Sequence, residues 1–175
     1  MNNLKQLTWE AHHNAERQQF AKTLLSGKIT PQLYYKYLYN QYHIYMALEE
    51  KLDIPEIEDV KRLTKIKEDI KELEELYDLK NTDQLCSSTI EYMKYVSVLD
   101  KSKVISHIYV RHFGDMYGGQ IIKKRIPGSG KMYDFDNVEN LKTIIRNMLD
   151  DTMADEAKVC FDFATKLFQE LSTNE

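Results

Sequence analysis

Apolar residues along this chain recur at intervals of three and four rather than two, the spacing of one face of an α-helix. The clearest case is "TPQLYYKYLYNQYHIYMALEEKLD", where Tyr35, Leu38, Tyr42, Tyr45, Leu48 and Leu52 form one stripe. Thr30 stands before it as N-cap, and Pro31 takes the first helical position, where a missing N–H breaks no hydrogen bond. Ser26-Gly27 closes the helix before it, and Asp53 to Pro55 closes this one. "IEDVKRLTKIKEDIKELEELYDL" interleaves acids and bases and reads as a charged helix with a solvated face. Further helices are predicted near residues 82–99, 102–125, 137–149 and 154–172, with the loop "RIPGSGKMYDFDN" separating the last two from the glycine-bearing one. Strand signals are few, and neither a repeat nor a long linker appears. The pattern predicts one all-α domain over residues 1–175, a bundle of seven or eight helices.

Composition narrows the class. The 175 residues carry 28 acids and 24 bases, a net charge of −4 without a basic stripe, which argues against a nucleic-acid partner. Two cysteines, Cys86 and Cys160, do not make a disulfide framework and point to a reducing compartment. No run of eighteen apolar residues occurs, so no membrane span is expected. The start "MNNLKQLTWEAHHNAERQ" is polar and amphipathic, unlike a signal or transit peptide. A soluble cytoplasmic monomer is expected, or a plastid stromal protein if a transit peptide has been removed.

Glycine usage brings in chemistry. Only six glycines occur, yet Gly114, Gly118 and Gly119 all fall in "IYVRHFGDMYGGQIIKKR", inside a predicted helix. Each interior glycine costs about 1 kcal/mol of helix stability relative to alanine. Gly114 and Gly118 lie one turn apart and leave bare backbone beside Asp115. Such a strip serves either close helix packing or the approach of something flat. Arg111, Asp115, Lys123 and Lys124 exclude the membrane version of the packing motif. Arg111 is also placed for an ordinary ion pair with Asp115, four residues on.

Two other helices supply partners. Lys5, Trp9, His12 and Glu16 are spaced 4, 3 and 4 and share a face. Glu16 can accept a ring N–H from His12, fixing the tautomer and strengthening the other nitrogen as a metal ligand. The plainer alternative is a half-exposed histidine beside a surface carboxylate. Lys142 and Arg146, at i and i+4, repel unless an anion bridges them, though surfaces carry such pairs by chance. An imidazole, a bare opposite wall and separated cations suit a planar dianionic macrocycle with a central metal, and heme fits.

Along essentially its whole length the chain resembles the heme oxygenases. "EAHHNAE" resembles their proximal-histidine segment, "YHIYMALEE" a segment of the second long helix, and "RHFGDMYGGQIIKK" the distal-helix signature, in that order. The resemblance implies His12, rather than His13, as iron ligand, with Glu16 as its partner. It implies Gly114 and Gly118 against the distal heme face. Asp115 would organise distal waters there, supported by Arg111, Tyr42 and Tyr92. Lys5, Tyr109, Lys142 and Arg146 would hold the propionates, and Phe161 would meet the heme edge. Heme b would be both substrate and cofactor, opened by O2 and electrons to biliverdin with release of carbon monoxide and ferrous iron. The propionate anchors predict cleavage at the α position. The electrons would come from a ferredoxin or an NADPH-dependent flavoprotein reductase, with a bilin reductase as a downstream partner. Two departures stand out. Ala164 occupies the place of an asparagine in animal members, which implies a rewired water network. The chain stops at the last core helix, so a form without the membrane tail of the animal microsomal members is expected, as in bacterial, algal or plastid types.

Three alternatives share some of these residues. A di-iron oxidase of the same fold needs two Glu-x-x-His motifs, and Glu10–His13 is the one present. A thiaminase-like hydrolase needs a cysteine nucleophile, but neither cysteine has a histidine near it in sequence. A heme carrier or sensor would use His12 and the cations equally well, while Asp115 over a bare wall argues for oxygen activation. "PGSGK" is a turn and not a phosphate loop, because Arg125 and Met132 stand where glycine and Ser or Thr are required.

Overall fold

The computed structural model describes residues 2–81 and 84–173, whose regular structure is helical throughout. The N-terminal face is carried by α1 (Leu4–Leu7) and α2 (Trp9–Glu16). Thr8 divides them: its hydroxyl donates to the Leu4 carbonyl at 2.8 Å, and its backbone leaves the helical region at φ −105°, ψ 3°. Next comes α3 (Gln19–Ser26), stopped by Gly27 at φ +79°, the left-handed conformation that glycine adopts without penalty. α4 (Pro31–Glu49) begins as its sequence predicts, with Thr30 Oγ1 accepting from Leu33 N at 3.2 Å. It stops at Glu49, short of Asp53, and a 3₁₀ helix over Pro55–Val60 leads into α5 (Leu63–Tyr77). α6 spans Ser87–Ser97; the predicted start of that helix near residue 82 lies outside the described residues.

The glycine-bearing segment is α7 (Val104–Val110), α8 (His112–Tyr117) and α9 (Gly119–Lys123). It bends at Arg111 (φ −91°, ψ −66°) and is divided again at Gly118, where the angles stay helical. The hydrogen-bond ladder crosses both junctions, with Asp115 N donating to Arg111 O at 2.9 Å and Ile122 N to Gly118 O at 3.4 Å. One predicted helix is therefore a single bent rod. α10 (Val138–Met148) and α11 (Ala154–Ser172) complete the chain. Each of the predicted helical stretches is present, and the larger number of segments comes mainly from these junctions.

α4 is the axis of the bundle. Besides Tyr35, Leu38, Tyr45 and Leu48 it buries Tyr34, Tyr37, Asn40, Gln41 and Ile44, so its buried face is broad, and the stripe of Gln32, Lys36, Tyr39, His43 and Met46 is more open. It packs on α5 and α6, while α11 runs against α2, α3, α6 and α7. The charged reading of α5 holds for its outer side only. Ile66, Ile70 and Leu73 are buried, each contributing about 1.5–3 kcal/mol. Asp69 beside them accepts from the backbone N–H groups of Lys131 and Met132, at 2.9 Å each, pinning the glycine-rich loop to the bundle.

Candidate active site

A cavity of about 370 Å³ opens between α2–α3 on one side and the bent α8–α9 rod on the other. α4 forms its floor through Tyr37, Gln41 and Tyr45, and α11 its back through Phe161, Ala164 and Phe168. Of the predicted residues, the structure brings His12, Glu16, Arg111, Gly114, Asp115, Gly118 and Phe161 to this one space.

His12 sits on the α2 wall with its side chain 43 % exposed, and its Nε2 lies 2.5 Å from Glu16 Oε1. One ring nitrogen is thus held by the carboxylate, which leaves Nδ1 as the other. The ring stacks on Phe161, with centroids 5.0 Å apart and planes at 17°. His13 turns away from the cavity and stacks on the exposed Trp9. The cavity thus separates two adjacent histidines that composition treats alike.

Opposite His12 the wall is main chain. A Cβ placed on Gly114 would meet nothing within 4 Å, and one on Gly118 only the Gly114 carbonyl at 3.6 Å. Gly118 has ordinary helical angles (φ −70°, ψ −27°), so it serves by lacking a side chain rather than by reaching an unusual conformation. Gly119 has a different reason. A Cβ there would fall 2.3 Å from the ring of Tyr133, so this glycine serves internal packing.

Asp115 lies at the edge of the bare strip. Tyr45 donates to its Oδ2 at 2.5 Å, and burial pushes its carboxyl up to about 7. The Tyr45 hydrogen bond and the Arg62 and Arg111 charges pull the other way, while Glu49 adds to the rise. A carboxyl titrating near neutrality suits proton transfer in either direction.

The Arg111–Asp115 ion pair that the spacing makes available is not made. Arg111 turns to Tyr92, its guanidinium 4.4 Å from the ring centroid and its Nε donating to the hydroxyl at 3.3 Å. Each member has another partner instead, Tyr92 for Arg111 and Tyr45 for Asp115. Behind Arg111, Tyr92 Oη lies 2.6 Å from His107 Nδ1, and His107 Nε2 lies 2.8 Å from Glu156 Oε2. Tyr92 is therefore a buried support for Arg111 and does not line the cavity. Cys160 is within 3.7 Å of the same hydroxyl, so folding gives it the histidine neighbourhood its sequence lacks. Burial raises its thiol, but the Arg111 and His107 charges outweigh that and hold it below the usual thiol range. It is fully buried and outside the cavity lining, closed to a substrate.

Five other predicted residues lie away from the cavity lining. Tyr42 packs edge-on against His43, and the tyrosine that reaches Asp115 is Tyr45, three residues on. Lys5 is exposed on α1, beyond the break at Thr8. Tyr109 packs against Phe113. Lys142 and Arg146 project from α10 onto α8, where both meet the ring of Tyr117: Lys142 Nζ is 4.1 Å from its centroid, and Arg146 also bonds its hydroxyl. The cations stand beside the glycine rod, on an aromatic partner. Sequence reasoning missed Tyr45 and Gln41 as cavity groups. The available signal was a glutamine on a tyrosine-rich helix one turn from a tyrosine, since both bury polar ends that need partners. Among the described residues no cluster of three His, Cys, Asp or Glu side chains is arranged to hold a metal, and no helix is long and apolar enough to cross a membrane.

The heme oxygenase family model matches residues 1–170. A heme oxygenase of Porphyra purpurea is 28 % identical, covering 99 % of this chain and 86 % of that protein. The crystal structure of heme oxygenase-1 from the cyanobacterium Synechocystis, in complex with heme, superposes with a TM-score of 0.82 at 24 % identity, over 98 % of this chain and 91 % of that one. Heme oxygenase from Leptospira interrogans gives 0.79 at 23 % identity, over 95 % and 97 %. At these identities the two structures establish a shared fold.

Proposed function

The chain belongs to the heme oxygenase family, whose reaction opens heme to biliverdin, carbon monoxide and iron, and from that premise we propose how its residues divide the work. The observation that carries the reading is the uncovered backbone of Gly114 and Gly118, facing the cavity across from His12. Side chains are missing where a flat macrocycle needs room, so the residues present fit heme. Bound there, heme would supply the iron at which dioxygen is activated, and its own ring would be the substrate.

His12 is the proposed iron ligand. Glu16 orients the imidazole through its second nitrogen, and Phe161 holds the ring plane from behind. Asp115 is the proposed proton-handling group. Tyr45 occupies Oδ2, which leaves Oδ1 to hold or release a proton toward cavity water. Arg111, held by Tyr92, which His107 holds in turn, keeps a fixed positive charge at that end of the site. Lys142 and Arg146 would leave Tyr117 to meet the propionates, joined by Lys5 and Tyr109 at the rim. With the macrocycle so oriented, cleavage at the α position is expected, and chromatography of the biliverdin isomers checks it. The electron donor in this reading is a ferredoxin or a flavoprotein reductase.

Absorption spectroscopy tests the assignment. Hemin added to the protein should give a sharp Soret band, and ascorbate or a reductase system should convert it to biliverdin. His12→Ala should weaken hemin binding tenfold or more, about 1.4 kcal/mol. An unchanged Soret titration in that variant would move the ligand elsewhere. Binding without biliverdin would favour a carrier or sensor.

A further inference from the structure

Along α4, Tyr37, Gln41 and Tyr45 are spaced four residues apart and all line the cavity, each about 6 Å further along the axis. Tyr45 is committed to Asp115. Gln41 is 4 % exposed, and its Nε2 donates to Tyr37 Oη at 2.9 Å, but its Oε1 meets no protein donor. Exchanging the amide oxygen and nitrogen leaves the same deficit, because Tyr37 can satisfy one end alone. A buried amide end left unpaired costs about 1–3 kcal/mol, and water in a polar cavity removes that cost. The back wall gives such water little to hold, since α11 turns Phe161, Ala164 and Phe168 to the cavity.

We propose that Gln41 is a positioning residue of the distal pocket, its free amide end holding cavity water in line with the Tyr45–Asp115 pair. The floor helix thereby supplies the polar contact that α11 does not offer at Ala164. This rests on the heme oxygenase reading and adds a residue to it. The physical consequence concerns Asp115. Water anchored by Gln41 donates to the carboxylate and stabilises its charged form, so removing the anchor raises the pH at which Asp115 ionises.

Infrared titration of the heme-free protein tests this, with Asp115→Asn identifying the carboxyl band. Gln41→Met keeps the length of the side chain and loses its hydrogen bonds. It should raise the Asp115 midpoint by about 0.5 pH or more, while hemin affinity stays within about twofold. Gln41→Asn, which keeps the amide, should stay nearer the wild-type midpoint. With heme and reductant, Gln41→Met should yield less biliverdin per electron consumed. An unchanged midpoint together with an unchanged yield overturns the proposal. Should Gln41→Met not fold, a high-resolution structure of the wild type decides: water on the free amide end supports it, and a protein donor there overturns it. Failure of the wild type to bind hemin would strike the functional reading instead, and the infrared result would still stand.

Discussion

Asp115 is a carboxyl that folding holds in an unfavourable setting. Burial raises its midpoint from 3.8 to about 7, so the folded protein prefers the protonated form. The native state then binds more protons than the unfolded state between those values, and stability falls as pH rises from about 4 to about 7. At about 1.4 kcal/mol per pH unit the ceiling is about 4 kcal/mol, lessened because the side chain opens on the cavity. Asp115→Asn keeps an acceptor for Tyr45 and cannot ionise. Thermal unfolding of the heme-free protein should show the variant gaining on the wild type from pH 5 to 7 and levelling off above. A gain that shrank with rising pH would contradict the burial account. This residue also marks what sequence can and cannot disclose. His12 and Glu16 are legible as a pair because one helical turn joins them. The bond between Tyr45 and Asp115 spans 70 residues, and only packing of α8 over α4 creates it.

At the scale of elements, the glycine rod contains two opposed kinds of glycine. Gly114→Ala should stabilise the heme-free protein by up to about 1 kcal/mol, since its methyl group enters open space and the helix gains propensity. The same methyl should weaken hemin binding markedly. Gly119→Ala should do the reverse, losing about 1–3 kcal/mol by forcing a methyl into Tyr133. Denaturant melts and Soret titrations on the two variants separate the roles; a matching response would mean that both glycines serve packing. The helices themselves were legible because periodicity, caps and Gly27 agree with one another. The irregular backbone at Arg111 was not, nor was Tyr92 as the partner of its side chain, 19 residues away. Nor does the sequence of α4 announce how wide its buried face is, because tyrosines read as amphipathic until their neighbours are known.

For the whole molecule, the cavity lies where α2, α4, the α8–α9 rod and α11 converge, so a ligand there ties separate parts of the bundle together. Hemin at a thousandfold excess over its dissociation constant should add about 4 kcal/mol, and for a chain of this size raise Tm by about 8–16 °C. Scanning calorimetry with and without hemin measures it, and a negligible shift would place binding outside the cavity. The packing of α2 along α11 has one more effect. His12 comes early in the residues described, but the helix bearing Phe161, on which its ring rests, follows most of the bundle along the chain. A polypeptide that has not yet gained α11 therefore lacks the back of the pocket, and the cavity is complete only once these distant stretches have come together.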